Sequence, residues 1–244
     1  MVTIKSDSPC KKISFFSDGY QLKGTLHLPT DACPPVVIGS HGLLSSSESP
    51  KQHELANRCS DIGIAFFRFD HRGCGKSQGY FPEVTSLNTR AHDLICAVNT
   101  IRARKDTGDR LGLFGSSMGG AACLSMARQA GIDALVTFAA PIRSQTINRS
   151  HARINDPKRN IADSGYSAAQ FDIGDKLQRI ENILIFHGDA DEVVPYASAL
   201  EIFEMAGEPK RLIRQKQGDH LMSCKVHQKE FIRETVQWFK SALL

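Results

Sequence analysis

Apolar and polar residues alternate near the start of the chain, in the stretch KISFFSDGYQLKGTLHLP at positions 12–29. A period of two places one set of side chains on one face, which is typical of a half-buried β-strand. Asp18-Gly19 lies at the centre of this stretch and is a turn signal, because glycine adopts the positive φ that a tight hairpin needs. The pattern therefore predicts two antiparallel strands joined at Asp18-Gly19.

Beyond this hairpin, short apolar runs alternate with stretches whose apolar residues recur every three or four positions. Six further strands are predicted by the runs VVIGSHG, IAFFRFD, RLGLFGS, ALVTFAAP, ILIFHGD and KRLIRQK. Helices are predicted by SPKQHELANRCSDIG, SLNTRAHDLICAVNTIRAR, MGGAACLSMARQAG and KVHQKEFIRETVQWFKSALL. Because βα units in series produce parallel strands, we expect an α/β fold with helices on both faces of the sheet.

Residues 142–177 depart from this alternation. The segment is polar and contains Asn155-Asp156-Pro157, and it is longer than a usual connection. We interpret it as a cap inserted into a single domain that spans 1–244. It carries Arg149, Arg153 and Arg159. Either these charges favour anionic substrates, or they lie on a solvated surface loop.

Composition narrows the functional classes. The formal net charge is +4, but Lys and Arg are spread along the chain, so we expect no nucleic-acid binding. The seven cysteines are odd in number, widely spaced and without a C-x-x-C pair, which predicts neither a disulfide framework nor a zinc site. No apolar run approaches the ~18 residues of a membrane helix, and the start MVTIKSDSPCKK lacks the apolar core of a signal peptide. We expect a cytoplasmic protein without membrane insertion, and homo-oligomerisation stays open.

The stretch LFGSSMGGAA places glycines on both sides of a serine, as Gly115-x-Ser117-x-Gly119. At a sharp turn from strand to helix, side chains at the flanking positions would collide with neighbouring backbone. Such a turn holds the Ser117 hydroxyl above the sheet, and the N-terminus of the following helix directs N–H groups toward a developing oxyanion. The motif makes Ser117 a candidate nucleophile, whereas an ordinary glycine-rich turn is the alternative.

Two later loops supply a matching acid and base. HGDADEVVP follows one predicted strand and KQGDHLMS follows the next, so the chain order is serine, aspartate, histidine. Serine needs an imidazole to take its proton, and the imidazole needs a carboxylate to orient it. His220 is the candidate base because His227 falls within the last helix. Asp189 and Asp191 are both candidates for the acid.

The successive motifs GTLHLP, GSHGLLSS, AFFRFDHRGCGKSQG, LFGSSMGG, HGDADEVVP and GDHLM occur in the order seen in one superfamily. With them the chain resembles the α/β-hydrolases, and more narrowly the compact microbial serine esterases that include cinnamoyl and feruloyl esterases. The resemblance implies an α/β-hydrolase fold with a mostly parallel central sheet, an antiparallel front hairpin, helices on both faces and a short inserted cap. It also implies an oxyanion hole formed by the backbone N–H groups of Leu43 and Met118. The spacing Gly-x-x-Asp-x-x-Val-Pro of such enzymes fits Asp191 and leaves Asp189 as a turn residue.

The chain departs from these esterases beside the nucleophile. Many of them carry histidine and glutamine where this chain has Ser116 and Met118. We expect a less polar pocket floor, with Ser116 in contact with substrate, and ferulate specificity is not implied. Within the cap, Tyr166 and Phe171 are the aromatic residues that could stack on a substrate ring.

Two other motifs are partial matches to a phosphate-binding loop and to a metal site. Gly75-Lys76-Ser77 ends like a phosphate-binding loop, but Asp70 stands where that loop needs glycine. We therefore expect Asp70 and Arg72 to act as polar supports of a structural loop. His187 with the two nearby aspartates could be read as a metal cluster, but a serine-aspartate-histidine site needs no metal.

The sequence thus predicts a serine hydrolase that cleaves a small or medium ester through an acyl-enzyme at Ser117, with no metal or cofactor. Its partner is a small-molecule ester. Amide or thioester hydrolysis by the same residues is an alternative, because the shape of the pocket determines the leaving group. A non-catalytic ligand-binding protein of the same fold is a second alternative.

Overall fold

A computed structural model describes residues 9–148 and 170–244 of the chain. Eight strands form one sheet in the order β1-β2-β4-β3-β5-β6-β7-β8. In chain order the strands are Cys10–Ser17, Tyr20–His27, Val36–Ser40, Ala65–Phe69, Leu111–Ser116, Ala134–Phe138, Ile183–Gly188 and Lys210–Gln215. The pairs β1/β2 and β2/β4 are antiparallel, and all pairs from β4 to β8 are parallel. The predicted sheet and its front hairpin are confirmed.

Six helices occur in the described residues: α1 Pro50–Asp61, α2 Phe81–Val84, α3 Leu87–Arg102, α4 Met118–Ala130, α5 Ala197–Met205 and α6 Lys225–Leu243. The helices α3, α4 and α5 pack on one face of the sheet, while α1 and α6 pack on the other. Strands β3 to β7 are almost entirely buried, as expected of a parallel sheet covered on both sides. The prediction of helices on both faces is confirmed.

The helix ends show which local signals act. Gly131 ends α4 in the left-handed conformation at φ +56°, where glycine avoids the steric cost of a side chain. Ser86 begins α3 with a capping box, in which its hydroxyl accepts from the Thr89 N–H. Ser49 occupies the predicted cap position of α1, yet its side chain makes no capping hydrogen bond.

The C-terminal helix supplies much of the second core. Phe231 and Phe239 are fully buried, and the Phe231 ring lies 5.0 Å from Phe186 on the sheet. Val236 is only partly buried against the same cluster. The short helix α2 was not predicted, since it is a single turn in a glycine-rich and proline-containing stretch.

Both ends of the predicted cap adjoin the carboxyl edge of the sheet. Arg143 forms an isolated β-bridge with Asp172, and its guanidinium donates to Asp172 and Glu201. The Asn148 N–H donates to the Val193 carbonyl at 2.8 Å. Within the two described ranges, no helix is both long and apolar enough to cross a bilayer.

Candidate active site

Ser117 lies at the sharp turn between β5 and α4. Its backbone has φ +52° and ψ −123°, a strained conformation for a residue with a side chain. A Cβ on Gly115 would lie 2.5 Å from the Gly119 carbonyl oxygen, and one on Gly119 would lie 2.6 Å from the His41 carbonyl oxygen. The glycines therefore allow the tight turn that positions Ser117, as the motif predicts.

His220 lies between Ser117 and Asp191. Its Nε2 is 3.1 Å from the Ser117 Oγ, and its Nδ1 is 2.8 Å from the Asp191 Oδ2. With the proton on Nδ1, the imidazole donates to the carboxylate and leaves Nε2 to accept from the serine hydroxyl. The three side chains come from the ends of β5, β7 and β8, which share one edge of the sheet. The arrangement can move a proton from Ser117 to His220.

Asp191 is enclosed by hydrogen-bond donors. Its Oδ1 accepts from the Val193 and Val194 N–H groups, at 2.9 and 2.8 Å, and its Oδ2 lies 3.2 Å from the His187 Nε2. Burial opposes ionisation, but the hydrogen bonds from His187 and His220 outweigh it and hold the Asp191 pKa well below its usual range. The carboxylate therefore stays charged beside His220.

Asp189 has a different role in the same loop. Its carboxylate pairs with Arg214 at 2.7 Å and accepts the Gln217 N–H. The hydrogen bond from Arg214 is the main cause that lowers the pKa of Asp189. These contacts join the loop after β7 to the loop after β8, which carries His220. Asp189 therefore supports the loop, and Asp191 is the carboxylate that reaches the histidine.

The loop after β3 passes beside the nucleophile. A Cβ on Gly42 would lie 3.6 Å from the Ser117 Cβ, so Leu43 follows directly at the mouth of the turn. Met118 begins α4, where the first N–H groups have no acceptor inside the helix. In the described part of the chain, the amides of Leu43 and Met118 donate to no acceptor. Both remain available to a ligand oxygen.

Arg90 on α3 holds that loop in place, and sequence reasoning missed it. The side chain is fully buried. Its Nη1 donates to the His41 carbonyl at 2.9 Å, and its Nη2 donates to those of Gly42 and Leu43 at 3.4 and 3.2 Å. A buried arginine at an inward-facing helix position is the signal that could have found it, since such a charge needs several partners.

A second buried network anchors the loop after β4. Arg72 pairs with Asp93 at 2.7 Å, and the His71 Nε2 bonds the Ser40 hydroxyl at 2.9 Å. Asp70 accepts the N–H groups of Ser47 and Lys76. Asp70 and Arg72 thus have the structural roles that the sequence predicts.

A cavity of about 430 Å³ opens at Ser117. Ser116, Leu43, Met118 and His220 line it, together with Lys51 and Gln52 from α1. The presence of Lys51 and Gln52 in the cavity wall was not predicted. Its signal, polar side chains directly after a proline that begins a helix, is common on protein surfaces.

Of the two predicted aromatic contacts, Phe171 is described by the structure and Tyr166 is not. Phe171 packs against the core, and its backbone bonds Ser144, so it does not line the cavity as far as the described residues outline it. In the described residues Phe171 thus packs on the core beside the Arg143–Asp172 bridge, and its stacking on a substrate ring stays a prediction. Tyr166 lies outside the described residues, as do the cap cations Arg149, Arg153 and Arg159.

Solved structures share this fold over nearly the whole chain. Est1E from Butyrivibrio proteoclasticus, with bound ferulic acid, superposes with a TM-score of 0.76 at 21% identity, over 94% of this chain and 98% of that chain. The esterase Pf2001 of Pyrococcus furiosus superposes with a TM-score of 0.80 at 18% identity, over 97% and 92%. These likenesses establish the α/β-hydrolase fold.

Sequence relatives define the family. The protein YfhR of Escherichia coli O157:H7 is 31% identical over 227 residues, which cover 88% of this chain and 73% of YfhR. The mitochondrial palmitoyl-protein thioesterase ABHD10 of Mus musculus is 26% identical over 219 residues, covering 78% and 70%. The family model described as serine aminopeptidase, S33, matches residues 34–163. The chain therefore belongs to the S33 serine aminopeptidase family of α/β-hydrolases.

Proposed function

We propose that this α/β-hydrolase is a serine esterase that cleaves a small or medium ester through an acyl-enzyme at Ser117. The observation that carries the proposal is the chain of hydrogen bonds from Ser117 through His220 to Asp191. A hydroxyl in contact with a neutral imidazole, itself oriented by a buried carboxylate, is the arrangement that activates serine as a nucleophile.

The reaction then follows from the positions of the atoms. The Ser117 oxygen attacks the ester carbonyl while its proton passes to the His220 Nε2, and the imidazolium is stabilised by Asp191. The oxyanion that forms accepts hydrogen bonds from the Leu43 and Met118 amides. His220 then protonates the departing alcohol, and water, deprotonated by the same imidazole, releases the acid from Ser117.

Thioester cleavage is the second candidate. It is favoured by the similarity to the mouse protein whose name describes a palmitoyl-protein thioesterase. The same attack on an acyl carbonyl serves both reactions, because only the leaving atom changes from oxygen to sulfur.

We also propose that residues 142–177 cap the site and that Ser116 contacts the substrate. Pro141 and Ile147, which flank the first part of this segment, line the cavity beside Ser116. The described start of the segment therefore lies at the rim of the cavity. We retain a cytoplasmic location as part of the proposal.

A fluorophosphonate probe tests the nucleophile. We expect stoichiometric labelling of the wild type and of Ser116→Ala, and none of Ser117→Ala. Turnover of p-nitrophenyl acetate should fall by about 10⁵ in Ser117→Ala, since members of such a triad act as a unit. Equal loss in both variants would refute the assignment of Ser117, and a folded wild type that takes no label would favour the non-catalytic alternative.

A panel of acyl donors then separates the reactions. Matched esters, thioesters and anilides with the same acyl group should be ranked by kcat/KM. We expect the ester to be hydrolysed fastest. A thioester preference of tenfold or more would favour the second candidate.

A further inference from the structure

The first turn of α1 forms part of the cavity wall. Ser49 is the N-cap of this 12-residue helix, Pro50 follows it, and Ser49, Lys51 and Gln52 all line the cavity. The Ser49 side chain makes no capping hydrogen bond, so it does not satisfy the first N–H groups of the helix. The positive end of the helix dipole therefore lies at the cavity wall.

The Gln52 side chain is a second, independent feature of this part of the cavity wall. Its side chain is only 1% exposed, and neither amide atom has a partner among the described residues. A Cβ on Gly39 would collide with the amide oxygen, so glycine at this point of β3 makes room for the side chain. A buried unpartnered amide is costly to a protein, which is why such groups are rare. Its position on the cavity wall points to a ligand that supplies the missing partner.

Lys51 brings a positive charge to the same place. The half-buried side chain has no ion pair with any described residue. Its Nζ lies 4.2 Å from the centroid of the Phe138 ring and 3.4 Å from the Leu221 carbonyl oxygen. Burial lowers the Lys51 pKa to about 8, against the attraction of Asp219 and Asp191, so the amine is mostly protonated at neutral pH.

From these three groups we infer that the α1 end of the cavity binds a carboxylate carried by the substrate at a distance from the scissile carbonyl. This deepens the proposed function and rests on it for the bond that is cleaved. The ammonium of Lys51 and the amide N–H of Gln52 supply donors, and the helix end adds a favourable field. Glu192, the acidic side chain that lines the cavity in the described residues, accepts from the His220 N–H and repels an anion from that side.

Away from these donors the lining of the cavity is largely apolar. Leu43, Phe114, Val193 and Leu221 line it. A hydrocarbon spacer between the two ends of the substrate suits such a wall, because it buries apolar surface without leaving polar groups unpaired. The substrate class is therefore the monoesters or monothioesters of dicarboxylic acids.

Kinetics with paired substrates test the charge. Mono-p-nitrophenyl esters of dicarboxylic acids from succinate to suberate are each compared with the analogue whose free carboxylate is a methyl ester. We expect the wild type to favour the charged member at one or two chain lengths. Lys51→Met should lower the charged-to-neutral ratio of kcat/KM about tenfold to a hundredfold, the range of a charge-assisted hydrogen bond.

Lys225→Met is the matched control. Lys225 lines the neighbouring groove between α1 and α6 but not the cavity, and its replacement removes the same charge from the chain. The ratio should stay within about twofold of the wild type in this variant. An equal fall in both variants, or no charge preference at any chain length, would overturn the inference.

Gln52→Leu separates binding from folding. Removing an unpartnered buried amide should leave the melting temperature unchanged or raised, because no hydrogen bond is lost. The charged-to-neutral ratio should nevertheless fall severalfold. A lowered melting temperature with an unchanged ratio would show that the amide serves the fold alone.

Calorimetry distinguishes failure of the inference from failure of the proposed function. Adipate and its dimethyl ester are titrated into the Ser117→Ala variant, with and without Lys51→Met. Adipate should bind, and binding should weaken at least tenfold with Lys51→Met. If adipate shows this Lys51-dependent binding but the wild type cleaves no ester, the proposed function fails and the carboxylate site stands. If esters are cleaved but adipate binds no better than its dimethyl ester, the carboxylate site fails.

Discussion

Replacing Arg90 tests whether this side chain of α3 holds residues 41–43, in the loop after β3, in place. Arg90→Met keeps the length and apolar stem of the side chain and removes the guanidinium. The carbonyl groups of His41, Gly42 and Leu43 then lose a common donor. The Leu43 amide, which we propose as an oxyanion donor, belongs to the loop that is released.

The contact distances set the size of the effect. The bond to His41 is short at 2.9 Å, while those to Leu43 and Gly42 are longer, at 3.2 and 3.4 Å. A hydrogen bond from a charged donor contributes about 1.5–3 kcal/mol, so we expect a loss of about 3 kcal/mol in unfolding free energy, most of it from the His41 bond. For a chain of this size that loss lowers Tm by about 6–12 °C.

The catalytic effect is separate from the loss of stability. Loss of one oxyanion donor costs about 10²–10³ in kcat, and a donor that is displaced but present should cost about 10–100. The assay measures kcat and KM for p-nitrophenyl acetate at 25 °C, below the melting range of the variant. It also measures inhibition by a trifluoromethyl ketone, whose hemiketal oxygen occupies the oxyanion position. We expect kcat and inhibitor affinity to fall together while KM changes little.

Two further variants decide the interpretation. Arg90→Lys should recover part of kcat, because an ammonium can reach one carbonyl but lacks the planar fork. Arg68→Met removes another buried arginine, which bonds Ser47 and His27 rather than residues 41–43. It should lower Tm without lowering kcat. If Arg90→Met loses stability but keeps kcat and inhibitor affinity, Arg90 serves folding alone.

The remaining predictions concern the acid and the pH dependence of folding. Asp191→Asn should lower kcat by about 10⁴ through the wrong imidazole tautomer, whereas Asp189→Asn should lower it less than tenfold; the opposite order would reverse the assignment. Burial, and then the charge of Arg68, lower the pKa of His27 to about 4. Between pH 6.5 and 4, His27 is therefore protonated in the unfolded chain but neutral in the folded protein. The unfolding free energy should fall by about 2 kcal/mol as the pH drops through this range, after allowance for solvent screening. Urea titrations of His27→Gln across this range should show a flatter slope, and an unchanged slope would contradict the argument.

The parts of the fold that could be predicted are those set by local pattern. The Asp18-Gly19 turn has φ +46° and +82°, so the dipeptide that marks the hairpin is also the residue pair that makes it. The fully buried parallel strands read as apolar runs because both of their faces are covered. Ser117 could be located for the same reason, since its conformation depends on the glycines beside it in the chain.

Other features depend on contacts between distant positions. Arg90 meets residues 41–43 across almost fifty positions of sequence, and the α-helical period identifies only which face of α3 it occupies. Asp189 and Asp191 could not be separated by chemistry, because both follow the same strand within one loop. Their partners, Arg214 and His220, lie on the next strand and its loop. The packing of Phe171 on the core next to the Arg143–Asp172 bridge is likewise a long-range contact that no local pattern indicates.

The position of the proposed carboxylate site also explains why the fold tolerates its cost. Gln52 occupies a face of α1 that packs on the sheet, where an apolar residue would be more stabilising. The glycine at position 39 of β3 gives up side-chain packing to make room for the amide. A stability argument does not account for these two adjacent departures from good packing. Gln52 lines the cavity beside Lys51, which has no ion pair in the described residues. Proteins accept such local costs where a bound ligand returns the missing contacts, and here the contacts are those that a carboxylate makes.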